Sequence, residues 1–265
     1  MSRILLIGDV FGRPGRRAVF ETLPGLIREE KLDFVIVNGE NAAGGKGLTG
    51  EICGQFFDSG CDVITTGNHA RDKKEIDPFF ESEPRLLRPS NYPASVPGTG
   101  AFVGTGRNGK TIAVLNLMGI VHMAERIDSP FQTVKERMEE LRARTPVVIV
   151  DFHAEATSEK RAMGWFLDGT ISALLGTHTH VPTADEQILP AGTAYITDVG
   201  MTGPYESVIG LRTDLALERF VQGKRGAFDV GKKDVRFCGV IVDVDDETGK
   251  ARSVTRFRRD LLFAV

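Results

Sequence analysis

Eight side chains in this sequence are of types that hold metal ions or move protons, and they fall into five short groups. These are Asp9, Glu40 with Asn41, Asn68 with His69, His153, and His178 with His180. A set of carboxylate, amide and imidazole donors suits borderline divalent ions such as Mn, Fe or Zn better than Ca or Mg. His178 and His180 are two residues apart, so in an extended chain both rings project to one side and can clasp one metal centre. Glu40 carries two carboxylate oxygens and could bridge two ions about 3.5–4 Å apart, the spacing at which paired metals serve attack on phosphate esters. Four of the groups have a glycine close before them (Gly8, Gly39, Gly67, Gly176), which would let the backbone turn sharply beneath the ligands.

Taken singly these residues say little. A histidine after a strand is more often a satisfied core or surface residue, and Gly67-Asn68 alone reads as a turn. Their placement is what argues for one site. Short apolar runs at Arg3–Ile7, Asp33–Val37, Asp62–Thr65, Val147–Phe152 and Ala173–Leu175 read as buried strands, and each group follows the C-terminal end of one of them. In open α/β sheets the loops at that end build ligand sites. His122 has no such companions and reads as structural.

Helical spacing at Gly15–Glu30, Leu48–Asp58 and Lys73–Phe80 alternates with the first three strands, which implies right-handed βαβ units and a largely parallel sheet. Further on, Ala101–Thr105 and Thr111–Leu117 read as a hairpin, and Phe131–Arg144 and Thr157–Phe166 as helices. Gln187–Leu189 and Thr193–Thr197 read as short strands, and Phe237–Val244 with Ser253–Arg258 as a final hairpin. No repeat or flexible linker interrupts these pieces. They fit one α/β domain over residues 1–265, with two mixed sheets face to face and helices outside.

Bulk properties narrow the function classes. Apolar residues make up 41% of the 265 and charged residues 26%, enough to bury a full core. A net charge of −3 gives no global field toward nucleic acid or an anionic membrane. Basic residues cluster at Lys224, Arg225, Lys232 and Lys233, and again at Arg252, Arg256, Arg258 and Arg259. Such runs usually form solvated faces and less often an RNA surface. Cys53, Cys61 and Cys238 show no CxxC spacing, against a disulfide framework or zinc ribbon. The N-terminal apolar run reaches only from Ile4 to Ile7, too short for a signal peptide or a membrane span, so the cytoplasm is the expected compartment. Gly8–Gly15 has neither GxGxxG nor GK[ST], and Asp9 at its tip would repel phosphate unless a metal intervened. Ser158 and Ser172 have no neighbours for nucleophilic catalysis.

The ordered motifs Gly8-Asp9, Gly39-Glu40-Asn41, Gly67-Asn68-His69, His153 and Gly176-Thr177-His178-Thr179-His180 resemble those of the calcineurin-like metallophosphoesterases. The wording is closer to their bacterial YmdB-like branch: GDVFGRPGR at 8–16, GENAAGG at 39–45, DFHAEATSEK at 151–160, GTHTHVP at 176–182 and TDVGMTGP at 197–204. The resemblance implies a four-layer α/β/β/α sandwich of two mixed β-sheets flanked by helices. It also implies two divalent transition-metal ions, Fe or Mn first and Zn as the alternative. Asp9, Glu40, Asn41 and His180 would hold one ion, and Glu40, Asn68, His153 and His178 the other. The implied reaction is phosphodiester hydrolysis, with 2′,3′-cyclic nucleotides as substrate, a metal-bridging hydroxide as nucleophile and His69 as proton donor.

Two positions depart from the pattern. The superfamily places a histidine where Phe11 stands, so Asn41 must complete the first ion's shell, and the branch usually has an aromatic where Arg71 stands beside His69. The competing functions are a phosphomonoesterase on a small metabolite and a metal-containing regulatory protein acting through an RNA or protein partner. A homo-oligomer is compatible with all three; a membrane association is not expected.

Overall fold

The computed structural model describes residues 1–223 and 229–261, so Lys224 and Arg225 of the first basic cluster lie outside the described residues. Strand β1 (Ser2–Ile7) shows why the architecture is layered. Leu5 and Ile7 pack into one apolar cluster while Ile4 and Leu6 pack into another, so both faces of the strand are covered. The same division holds along β2 (Phe34–Asn38), where Val35 and Val37 take the outer layer and Phe34 and Ile36 the inner one.

With β3 (Val63–Thr65) and β4 (Leu86–Leu87), these strands run parallel in the order β1-β2-β3-β4. The sheet is extended on its other side by β12 (Val235–Val244), antiparallel to β1, which in turn pairs β11 (Gly203–Pro204) and β13 (Ala251–Leu261). Helices α1 (Gly12–Glu29) and α2 (Gly50–Asp58) cover its outer face through Val19, Leu23, Leu26, Cys53 and Phe56.

The second sheet has the order β5-β6-β7-β8-β10-β9, comprising Ala101–Thr105, Thr111–Met118, Val148–His153, Ala173–Thr177, Ala194–Ile196 and Gln187–Ile188 respectively. Its central strands β6, β7, β8 and β10 are parallel, and β5 and β9 are antiparallel edges. Helices α4 (Pro130–Arg144) and α5 (Thr157–Leu167) cover its outer face through Val134, Leu141 and Met163. Between the sheets lies a third apolar layer in which Ile4, Leu6 and Ile36 meet Ile112, Val114, Ile149 and Leu175. The result is the expected α/β/β/α sandwich of two mixed sheets.

Differences from the sequence reading have local causes. Helix α1 starts at Gly12 and not Gly15, because Pro14 lies in the first turn, where its missing N–H costs no hydrogen bond. The helix expected over Lys73–Phe80 is a 3-10 turn at Lys74–Ile76 followed by α3 (Asp77–Ser82), with Pro78 in the opening turn of α3. Strands β4 and β11 are two residues each and exist only through their partners. Helix α6 (Thr213–Gln222) is absent from the sequence reading although Leu217, Phe220 and Val221 recur at helical spacing; that stripe is exposed, and only Ala216 is buried.

The second basic cluster is not a free patch. Arg252 pairs with Asp245, Arg256 with Glu186, Arg258 with Asp260 and Arg259 with Glu29. Among the described residues no helix is long and apolar enough to cross a membrane.

Candidate metal centre

The strand ends of the two sheets meet at one rim. Asp9 follows β1, Glu40 and Asn41 follow β2, and Asn68 and His69 follow β3, all in the first sheet. His153 is the last residue of β7, and His178 and His180 follow β8 in the second. Because Asp9, Glu40 and His153 are 1% exposed or less, the site is set into the seam between the sheets and is not laid on the surface.

Two sets of donor atoms result. Around His153 Nε2 stand Glu40 Oε1 at 3.0 Å, His178 Nδ1 at 3.0 Å and Asn68 Oδ1 at 3.1 Å. Glu40, His153 and His178 together satisfy the spacing of a three-ligand metal group. Beside them, His180 Nε2 lies 3.2 Å from Asn41 Oδ1 and 3.9 Å from Asp9 Oδ1. Asp9 Oδ1 is buried and has no hydrogen-bond partner. A buried carboxylate oxygen without a donor is costly, and lone-pair atoms crowded together at about 3 Å repel unless a cation lies among them. The donor set and its crowding fit divalent metal ions.

Each histidine is held by its other ring nitrogen. His153 Nδ1 donates to Thr177 Oγ1 at 2.9 Å, and that hydroxyl donates to Asp151 Oδ1 at 2.7 Å. Asp151 is fixed in turn by Thr65 Oγ1 and Asn38 Nδ2. His180 Nδ1 donates to the Ile209 carbonyl at 2.9 Å. His178 Nε2 lies 3.0 Å from Glu155 Oε2, and His69 Nδ1 lies 2.9 Å from Asp72 Oδ2. Such outer contacts select the tautomer and aim the free nitrogen. They leave Nε2 of His153, His180 and His69, and Nδ1 of His178, with a lone pair or proton for the site. Asp72, Asp151, Glu155 and Thr177 were not assigned roles from sequence; Asp151 and Glu155 lie inside the 151–160 motif, but nothing in their spacing marks them as supports.

The electrostatics follow from burial and crowding. Burial pushes the Asp9 carboxyl up to about 6, against the pull of His180 and His153. Burial acts the same way on Glu40, but the charge and hydrogen bond of His153, with His69 and His178 behind them, outweigh it and bring Glu40 down to about 2. Burial lowers His153, yet Glu40 and then Asp9 raise it to about 9. Burial and the neighbouring His153 push His178 down to about 3. Cation density is thus concentrated on His153, in the middle of the donors.

His178 and His180 do not act as an extended pair. Their φ values are 100° and 65°, so the chain leaves β8 through left-handed backbone and sends the two rings to different donor sets. The loop is held by Lys160, a fully buried side chain on α5 whose Nζ donates to Thr177 O at 2.7 Å and Asp198 Oδ2 at 2.8 Å. Asp198 Oδ2 also accepts from Thr179 N and Thr179 Oγ1. The glycines serve differently from expectation too. Gly8, Gly39, Gly67 and Gly176 have no left-handed φ, and Gly67 is required for close approach, since a Cβ there would overlap the His153 ring and the Glu40 carboxylate.

The remaining sequence candidates are placed as follows. His69 lines a cavity of about 250 Å³ together with Glu40, Asn41, His178 and His180. Phe11 packs edge-on against His180, ring centroids 5.4 Å apart. Arg71 is turned to Asp77 through two hydrogen bonds and does not line the cavity. His122 is exposed and lies outside it.

Two outcomes are expected. Lys160→Met leaves Asp198 buried without its cation and should cost about 3–5 kcal/mol, with part recovered in Lys160→Met/Asp198→Asn; urea unfolding of the three proteins measures this, and a neutral single variant refutes the role given to the pair. The second concerns protein stripped of divalent ions by chelation. His153 holds its proton more tightly folded, up to about 9, than its ordinary 6.5, so its stabilisation is complete below pH 6.5 and is lost as pH rises through 9. Asp9, raised from 3.8 to about 6, acts in the same sense over the lower window. Melting temperature of the stripped protein should therefore fall from pH 6.5 to 9, and added metal, which needs His153 deprotonated, should reverse the trend. A flat profile in the stripped protein counts against a protonated His153.

Comparison with known proteins identifies the family. The profile of the YmdB-like protein family matches residues 5–257. A 2′,3′-cyclic-nucleotide 2′-phosphodiesterase of Bacillus subtilis (strain 168) is 50% identical over 254 residues, covering 96% of this chain and 96% of that protein. Among solved structures, a hypothetical protein of Thermus thermophilus superposes with a TM-score of 0.91 at 41% identity, covering 97% of this chain and 99% of that one. A novel phosphatase of Mycoplasma pneumoniae superposes with a TM-score of 0.91 at 37% identity, covering 98% and 93%. The chain belongs to the YmdB-like family, with the fold and the donor-lined seam of a phosphoric ester hydrolase.

Proposed function

We propose that the chain is a phosphodiesterase that opens 2′,3′-cyclic nucleotides with two divalent transition-metal ions, Fe or Mn before Zn. The observation that carries the reading is the convergence of seven donor side chains on one buried seam, in a chain half identical to a cyclic-nucleotide phosphodiesterase. Asp9, Glu40, Asn41 and His180 would hold one ion, and Glu40, Asn68, His153 and His178 the other. Glu40 would be common to both sets: its Oε1 stands 3.0 Å from His153 Nε2, and its charge acts on the Asp9 carboxyl of the other set. When bound, such ions supply Lewis acidity for the phosphoryl oxygens and activate water near neutral pH.

The chain's own groups do the rest. The seam excludes bulk water from Asp9, Glu40 and His153, which strengthens every charge interaction within it. His69 is half-buried at the cavity and tied through Nδ1 to Asp72, which aims its Nε2 into the site for proton transfer. As water adds to phosphorus and releases a proton to solvent, the bond to one ribose oxygen breaks and that oxygen takes the His69 proton, which His69 regains from solvent. A cyclic phosphate has no bulky second alcohol to accommodate, which suits a cavity of about 250 Å³. The whole of 1–265 reads as one domain, supported by the apolar layer that both sheets share. The buried, unpaired thiols of Cys53, Cys61 and Cys238 support the cytoplasm as its compartment.

Protein reconstituted with Mn, Fe or Zn should hold two ions per chain by elemental analysis, and should turn over 2′,3′-cyclic nucleotides and bis-p-nitrophenyl phosphate in preference to mono-p-nitrophenyl phosphate. His69→Ala should keep both ions while turnover of the nucleotide falls by about 10²–10⁴. The loss should be smaller for the p-nitrophenyl diester, whose weakly basic leaving oxygen departs without a proton. Equal losses on the two substrates would remove His69 as the acid, and loss of an ion would make it a ligand.

A further inference from the structure

Ile209 occupies a conformation that β-branched residues avoid, with φ at 46°, and Gly210 follows at 102°. Val208 and Leu211 exchange two backbone hydrogen bonds, 2.8 and 3.0 Å, across this pair. Two left-handed residues at the centre of a two-residue turn is the arrangement for which Asn-Gly is favoured. An isoleucine in the first position is strained, and the turn gains nothing from its side chain. What the neighbouring metal ligand needs is only the backbone, since the Ile209 carbonyl accepts from His180 Nδ1. Gly210 lies so close to the Phe11 ring that a Cβ would overlap it, and Phe11 packs on His180, so the turn is clamped over the ligand.

The Ile209 side chain nevertheless remains 51% exposed, at the wall of the active-site cavity. A strained, exposed apolar side chain at a catalytic cavity points to a ligand contact, because neither folding nor packing retains it. Leu211 and Phe11 line the same cavity, whereas most of the other lining groups are polar: Glu40, Asn41, His69 and Glu155 among them. In a cyclic nucleotide whose phosphate lies at the donor cluster, the one large apolar surface is the face of the base.

We infer that Ile209, with Leu211 beside it, is the seat of the nucleobase, and that the 208–211 turn determines substrate preference. This rests on the cyclic-nucleotide reading above. An aliphatic wall offers no hydrogen bond, so it selects by contact area and favours purine over pyrimidine while telling adenine poorly from guanine.

The test compares wild type, Ile209→Gly and Ile209→Asn, all loaded with metal, on adenosine 2′,3′-cyclic phosphate and on methyl ribofuranoside 2,3-cyclic phosphate, which lacks a base. Both replacements accept left-handed backbone and keep the carbonyl on His180. The ratio of kcat/KM for the nucleotide to that for the baseless ester should fall about tenfold in both variants, mainly through KM, with no drop in melting temperature. An unmoved ratio, or equal losses on both substrates, overturns the assignment while the phosphodiesterase reading stands. A wild-type protein that cleaves neither compound overturns that reading and this inference with it.

Discussion

The site rests on one electrostatic constraint: carboxylate, amide and imidazole donors are crowded at about 3 Å in a seam that buries Asp9, Glu40 and His153. Glu40, Asn68, His153 and His178 bring lone pairs toward a single point, and beside them Asp9 buries an oxygen with no donor. Such an arrangement is unfavourable on its own, and positive charge alone relieves it, whether as a proton on His153 or as a metal ion. The supports are accordingly extensive. A carboxylate, a hydroxyl or a carbonyl meets the outer nitrogen of each site histidine, so no ring can rotate away from its neighbours.

The second sheet carries much of that load. His153 ends β7 and its anchor Thr177 ends β8, so adjacent parallel strands fix the ring and its partner in register. The loop beyond β8 would not by itself hold two left-handed histidines. Lys160 reaches it from α5, and Asp198 meets the ammonium from the loop after β10, so three elements close on Thr177–Thr179. A buried ion pair contributes little net stability compared with apolar packing, but it leaves a single geometry in which both charges are satisfied. Orientation of the ligands is the consequence that matters for function.

The fold also tunes what the site can bind. Phe11 packs against His180 and under the 208–211 turn, so it serves there as a hydrophobic support. Arg71, beside the proposed acid, is drawn off to Asp77 and leaves His69 to Asp72. The cavity therefore has a polar floor of donors and an apolar lip, a division suited to a small molecule with one anionic and one apolar part.

Much of this was legible in the chain. Short, largely apolar runs located the central strands, because strands covered on both faces need apolar side chains on both sides. Ligand types after five such runs located the rim, because parallel strands in βαβ units present their C-terminal ends together. Only the tertiary structure decided the rest. Two-residue strands such as β4 and β11 have no periodicity of their own and form through their partners. That His178 and His180 serve different donor sets depends on φ angles set by the Lys160–Asp198 pair, whose members are 38 residues apart. That Gly67 is needed for space and not for rotation depends on where His153, from the other sheet, comes to rest. Residue type and local spacing encode which atoms can bind; which of them share a point in space is set by packing between sheets, and no local pattern contains it.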